Sequence, residues 1–276
     1  MFASLLLSLR EGLEAALVIG IVLGVLAKLN RTDLNQTVWR GAFAAAALSL
    51  GAAAGLNLLG MEFEGQGEQI FEGLVMFLAA GVLTWMIFWM QRTAGNLKRE
   101  IEAKTRSAVR GQGGAALFAL AFLAVFREGI ELALFLLAVQ QTSNPLQVLA
   151  GAALGLAGAA ALGWMLFRST RRLNLRSFFR VTNVLLIVFA AGLVAYGVHE
   201  FNEAGIIPAI VDPLWDINPI LSDKSQVGLV LKALLGYNGN PSLTEVLAYL
   251  GYVGVVAALV FRRKPVALAA APNTAA

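Results

Sequence analysis

Arg10, Glu11 and Glu14 stand in the string REGLE, and Arg127, Glu128 and Glu131 stand in REGIE, 117 residues later. In a helix, residues three or four apart share a face. Glu11 with Glu14, and Glu128 with Glu131, therefore project paired carboxylates to one side. Arg10 stands four residues before Glu14 and Arg127 four before Glu131, so each guanidinium can reach the second glutamate of its own string. Gly12 and Gly129 leave room beside the charges for a closely packed helix or a substrate. Four carboxylates against two guanidinium groups leave a formal charge of −2. Such a site calls for a cation or protons.

Both strings lie inside apolar runs, at 2–29 and 115–140. A central charge in a bilayer costs about 2.5 to 3.5 kcal/mol on insertion scales, so six cost on the order of 15 to 20 kcal/mol before pairing. An Arg–Glu lattice that only locks two helices together is the structural explanation, and the unbalanced negative charge argues for a function instead. The chain has no cysteine and one histidine, which excludes thiolate metal sites, iron–sulfur clusters and cysteine nucleophiles. All-oxygen ligation favours a hard, multiply charged cation, and the ligand set alone allows iron, manganese, calcium, magnesium or lead. An intramembrane enzyme using the carboxylates as acid and base is the remaining class. It finds no H-E-x-x-H motif and no nucleophile arrangement here.

The elements that must carry these strings are membrane helices. The 276 residues are 58% hydrophobic and 14% charged, with a mean hydropathy of +0.73, outside the range of ordinary soluble domains. The N-terminus lacks a basic n-region, and Arg10 and Glu11 interrupt the apolar run, so it reads as a first membrane helix and not a cleaved signal. Seven windows approach or exceed the roughly 20 residues a spanning helix needs: 2–29, 38–60, 69–91, 115–140, 146–167, 178–198 and 244–261.

Basic residues follow the first span (Lys28, Arg31, Arg40) and the third (Arg92, Lys98, Arg99, Lys104, Arg106, Arg110). They also surround the turn after the fifth (Arg168, Arg171, Arg172, Arg176, Arg180) and follow the seventh (Arg262, Arg263, Lys264). The other connections are acidic or neutral. By the positive-inside rule the chain is N-out and C-in, and the net charge of +4 belongs to topology and anionic lipid, not to nucleic acid. The expected fold is all-α: one polytopic domain over 1–264 with a cytoplasmic tail at 265–276. The external segment 201–243 carries an interfacial helix at QVGLVLKALLGY, a stretch too short to span.

Further strings recur in order. GAAAG at Gly51 to Gly55 matches GAALG at Gly151 to Gly155, and LAAGVLTW from Leu78 matches FAAGLVAY from Phe189. Gly/Ala strings are common packing surfaces, but with the charged motif they predict two three-span repeats, about 1–91 and 114–200. An odd number of spans turns the second copy over, an inverted repeat with its site near midplane. Glu11 and Glu14 lie about nine to twelve residues, or roughly 14 to 18 Å, from the external end of their span. Glu128 and Glu131 lie at a similar depth in a span running the other way.

REGLE, REGIE, seven spans and YGVHEFNEAG after span six together resemble the oxidase-dependent iron transporter family, the high-affinity iron permeases that include the bacterial EfeU-like proteins. The resemblance covers Met1 to about Arg263. It implies iron import across the bacterial inner (plasma) membrane, with Arg10, Glu11, Glu14, Arg127, Glu128 and Glu131 as binding and translocation elements. It further implies ferric iron supplied by an extracytoplasmic oxidase or iron-binding partner. Iron is then the cargo, and no permanently bound cofactor is expected.

Other acidic residues cluster outside the motifs. Glu62 and Glu64 read as a solvated loop, whereas Glu68 and Glu72 are four apart, and Glu72, which stands where a span should be apolar, is a candidate second metal site. His199, Glu200 and Glu203 close span six, with His199 and Glu203 four apart, as candidate metal-entry ligands. Trp85, Trp89, Trp164 and Tyr196 read as interfacial anchors.

Overall fold

The computed structural model of the chain describes residues 1–61, 63–93, 96–111, 113–168, 175–223 and 225–261. Glu62, Arg171, Arg172, the Arg262, Arg263 and Lys264 cluster and the tail 265–276 lie outside the described residues. Within hydrocarbon a backbone must satisfy its own polar groups, and a helix does so locally. The apolar windows accordingly form α1 (Phe2–Lys28), α2 (Asn35–Met61), α3 (Gln66–Thr93), α5 (Gly114–Gln141), α6 (Pro145–Arg168), α7 (Leu175–Glu203) and α9 (Leu243–Phe261). Two more helices are α4 (Leu97–Arg110) and α8 (Gln226–Leu235), and no strand occurs among the described residues.

Local signals set the helix ends. Asn144 accepts a hydrogen bond from the Leu146 amide at 2.9 Å, and Pro145, whose missing amide hydrogen costs nothing at a first helical position, opens α6. Ser242 and Glu245 form a capping box on α9. The Ser242 amide donates to Glu245 Oε1 at 3.1 Å, and the Glu245 amide donates to Ser242 Oγ at 3.3 Å.

Among the described residues four helices are long and apolar enough to cross a membrane, over Thr32–Gly60, Gln66–Met90, Pro145–Met165 and Val181–Glu203. Helices α1 and α5 match them in length but carry the charged strings. The chain is turned inside out relative to a soluble protein. Leu146 is 75%, Leu50 73% and Phe43 67% exposed, while Arg10, Glu11, Glu14, Glu128 and Glu131 are all buried. Only an apolar surrounding makes that distribution favourable, so the fold is that of a polytopic membrane protein.

Small residues set the helix pairing. Gly151 lies against Ser4 and Leu5, Gly155 against Ser8 and Leu9, Gly12 against Ala159, and Gly163 against Ala16. These contacts advance together along α1 and α6, which are therefore parallel. Helices α2 and α5 are joined likewise, Gly41 against Phe118, Ala121 and Phe122, and Gly129 against Ser49. Gly73 and Gly197 bring α3 and α7 together, capped by Phe201 and Phe77. Helix α9 packs on α7.

This packing corrects the expected match of GAAAG with GAALG. Gly51 and Gly55 have no neighbour where a Cβ would stand, whereas Gly151 and Gly155 press on α1. The counterpart of Gly151 in packing is Gly41. Met1, Ser4 and Leu5 surround the one, and Phe118, Ala121 and Phe122, each 117 residues further on, surround the other. The third match fares similarly: Gly81 faces open space, and Gly192 abuts Gly236.

Two further expectations change. The basic segment after α3 is not a plain loop, because α4 buries Ile101, Thr105 and Ala108. Ile101 and Ala108 join Ile19, Val22, Leu26 and Leu117 in one apolar cluster. Nor does α8 lie flat at an interface. Its terminal Gly236, in the left-handed region at φ 68°, meets the Gly192 backbone, about 16 Å along α7 from Glu203. Lys232 stands over the Tyr196 ring at 4.8 Å, and burial lowers the pKa of its ammonium.

Candidate metal centre

Helices α1 and α5 each pass from one apolar cluster to the other. Leu7, Met76, Leu83, Phe135 and Phe189 belong to the first cluster. Ile19, Val22 and Leu117 belong to the second. The charged strings occupy the layer between. Gly12 and Gly129 serve the close approach of a helix: a Cβ on Gly12 would stand 2.7 Å from the Ala159 methyl, and one on Gly129 would collide with Ser49.

In this layer Glu11, Glu128 and Glu131, all buried, each offer a carboxylate oxygen within 4.8 Å of the others. Among the described residues this is the one group of three metal-ligating side chains so placed. Glu11 Oε2, Glu128 Oε2 and Glu131 Oε2 have no hydrogen-bond partner among the described residues. Buried, unpartnered oxygens from two helices are costly unless something positive sits among them. Glu14 is also buried but faces a cavity instead.

The arginines reach the glutamates their spacing allows. Arg10 Nη2 lies 3.1 Å from Glu14 Oε1, and Arg127 Nε lies 2.9 Å from Glu131 Oε1. Arg10 Nη1 also donates to Glu11 Oε1 at 2.7 Å and to the Met86 sulfur at 2.9 Å. Arg10 is fully buried, whereas the Arg127 side chain is 32% exposed and 3.9 Å from Glu128. Arg127 rests on α3 through the rings of Trp85 and Trp89, with its Cζ 5.1 and 4.2 Å from their centroids.

A cavity of about 690 Å³ leads from Glu14, Glu128 and Arg127 to Glu100, Lys104 and Ser107 of α4. On the other side, Met76, Ala79, Ala80 and Leu83 fill α3 between Glu72 and Met86. The site is thus open toward α4 and closed toward Glu72.

The secondary candidates form a separate group. Glu72 stands fourteen residues from Met86, about 21 Å along α3, and shares its field with Glu200, Glu68 and Glu203. Glu64 is exposed. His199 Nδ1 lies 3.0 Å from Glu245 and Nε2 3.3 Å from Glu203, so each ring nitrogen already faces a carboxylate. The sequence reading missed Glu245, which is buried and also accepts from Asn238 at 2.8 Å. Ser242, three residues before it, was the available signal. Met86, Trp85 and Trp89 had no signal beyond residue type. Trp85 and Trp164 are exposed on the apolar surface. Tyr196 is not an interfacial anchor: it is buried and donates to the Tyr237 carbonyl at 2.7 Å.

The Iron permease FTR1 family profile matches residues 1–270. Proteins named ferrous iron permease EfeU from Shigella sonnei (strain Ss046) and Escherichia coli O157:H7 are each 37% identical over 277 residues, covering 100% of both chains. One of the same name from Yersinia pestis is 35% identical, covering 92% of this chain and 90% of its own. No solved structure is a significant match. With two arginine–glutamate strings meeting in one buried layer and a family match along nearly the whole chain, this protein belongs to the FTR1 family of iron permeases, membrane transporters and not enzymes.

Proposed function

We propose that this chain imports iron across the bacterial inner membrane through the Glu11, Glu128 and Glu131 layer, with Glu14 passing the ion toward α4. The observation that carries this reading is the convergence of three buried carboxylates with unpartnered oxygens. Arg10 and Arg127 hold those carboxylates and limit their charge. The remaining −2 is neutralised by one divalent ion, which favours ferrous iron, the form in the relatives' names. Ferric iron supplied by an external oxidase or iron-binding partner is the second reading, favoured by the all-oxygen donor set.

The architecture proposed is seven spans, N-out and C-in, with α1 to α3 and α5 to α7 as inverted copies. Its support is the exchange of partners between the two triads, α1 with α6 and α2 with α5, together with the alternation of loop charge. In that orientation the 690 Å³ cavity is the cytoplasmic exit. Glu72, His199, Glu200 and Glu203 line the external entrance.

Uptake of radioactive iron into proteoliposomes tests the reading, with ferrous iron held reduced in one arm and ferric citrate in the other. Wild-type protein takes up iron and Glu128→Ala does not. Undiminished uptake by the variant would sink the site, and uptake of manganese in preference to iron would reassign the cargo.

A further inference from the structure

Helix α3 contributes no carboxylate to the midplane layer, yet it touches both motif arginines. Met86 receives Arg10, and Trp85 and Trp89, one turn apart, receive Arg127. The two indoles lie 6.3 Å apart and 25° from parallel, forming a continuous aromatic shelf. Arg127 Nη2 has no hydrogen-bond partner among the described residues, and the guanidinium carbon lies over the two ring faces. Its near end donates to Glu131, while Glu128 lies 3.9 Å away. The guanidinium is therefore one small rotation from tightening this long ion pair with Glu128 into a hydrogen bond.

We propose that Trp89, assisted by Trp85, is a positioning residue for iron binding: the shelf parks Arg127 away from Glu128 and keeps that carboxylate free for the metal. The physical argument is directional. Trp85 is 54% exposed, so the shelf stands between the guanidinium and the apolar surroundings. Without it, Arg127 would be left to hydrocarbon, to the cavity or to Glu128, and of the three only Glu128 offers a negative charge at short range. A cation–π contact holds a cation with enough energy to decide between two such positions. Once on Glu128, the guanidinium competes directly with the metal. Arg10 needs no shelf, because Glu11, Glu14 and Met86 already surround it.

This inference rests on the proposed iron site, and its test is chosen to fail separately from that site. Half-saturation and maximal rate of ferrous iron uptake are measured in proteoliposomes for Trp89→Leu, Trp89→Phe, Arg127→Gln and the Trp89→Leu/Arg127→Gln pair. Trp89→Leu raises the half-saturation concentration about tenfold with a maximal rate within about twofold of wild type, while Trp89→Phe, which keeps a ring face, stays near wild type. In the Arg127→Gln background, Trp89→Leu adds nothing, because its effect passes only through Arg127.

An unchanged half-saturation in Trp89→Leu overturns the proposal. So does an equal loss in Trp89→Phe, or a full effect of Trp89→Leu when Arg127 is already Gln. If Trp89→Leu shows no uptake at all, iron binding to the solubilised protein decides: weakened binding supports the shelf and wild-type binding overturns it. Persistence of uptake in Glu128→Ala would remove the site and overturn the shelf with it, whereas failure in the Trp89 variants alone overturns only the shelf.

Discussion

The two charged strings differ by one residue in five, Leu13 against Ile130, yet their arginines live differently. Arg10 is sealed at 0% exposure among Glu11, Glu14 and Met86. Arg127 is partly open, paired with Glu131, seated on Trp85 and Trp89 and adjoining the cavity. Its neighbour Glu128 is left without the short contact that Glu11 has. Repeating a motif therefore repeated the chemistry of its residues but not their freedom. The α1 copy is the enclosed half, and the α5 copy is the half that adjoins the cavity.

That contrast is most sharply broken by Glu128→Ala against Glu14→Ala. Removing the freer ligand should abolish iron uptake. Removing Glu14, which lies outside the three-oxygen group, should slow uptake while leaving iron binding to the solubilised protein measurable. Equal loss of binding in both would mean that the carboxylates act as one shell.

Arginine removal should separate the halves by stability. Arg10→Ala strands two buried carboxylates and should cost about 3 to 5 kcal/mol, seen as a lower unfolding temperature or loss of folded protein. Arg127→Ala should cost clearly less, its partly exposed charge being screened by the adjoining cavity. A larger cost at Arg127 would reverse the assignment of enclosed and cavity-adjoining halves.

The glycines give a smaller effect. Gly12→Ala and Gly129→Ala each drive a methyl into a packed neighbour and should destabilise by about 1 to 3 kcal/mol. Gly51→Ala and Gly55→Ala, which meet open space, should lie within about 0.5 kcal/mol of wild type or stabilise slightly. Thermal unfolding in detergent would check the ranking, and a costly Gly51→Ala would restore the GAAAG match. Smallest of all, Glu203→Gln should leave the unfolding temperature nearly unchanged, since that pair with His199 is exposed. Glu245→Gln, on the buried side of the same histidine, should lower it visibly.

Much of this was legible in the chain because it is set locally. Twenty apolar residues form a helix wherever they lie in a bilayer, residues three and four apart share its face, and the two strings carry a specific family pattern. Hence the long apolar helices, the reach of Arg10 to Glu14 and of Arg127 to Glu131, and the membership of an iron permease family could be read from the amino acids. Tertiary structure decided what depends on neighbours distant in sequence. Glu11 joins Glu128 and Glu131 while Glu14 turns to the cavity, Gly41 and not Gly51 matches Gly151, Ile101 carries α4 into the core, and Trp89 rather than lipid meets Arg127. None of these has a periodicity or a spacing, because each is a contact between helices whose relative rotation is fixed only when all of them pack.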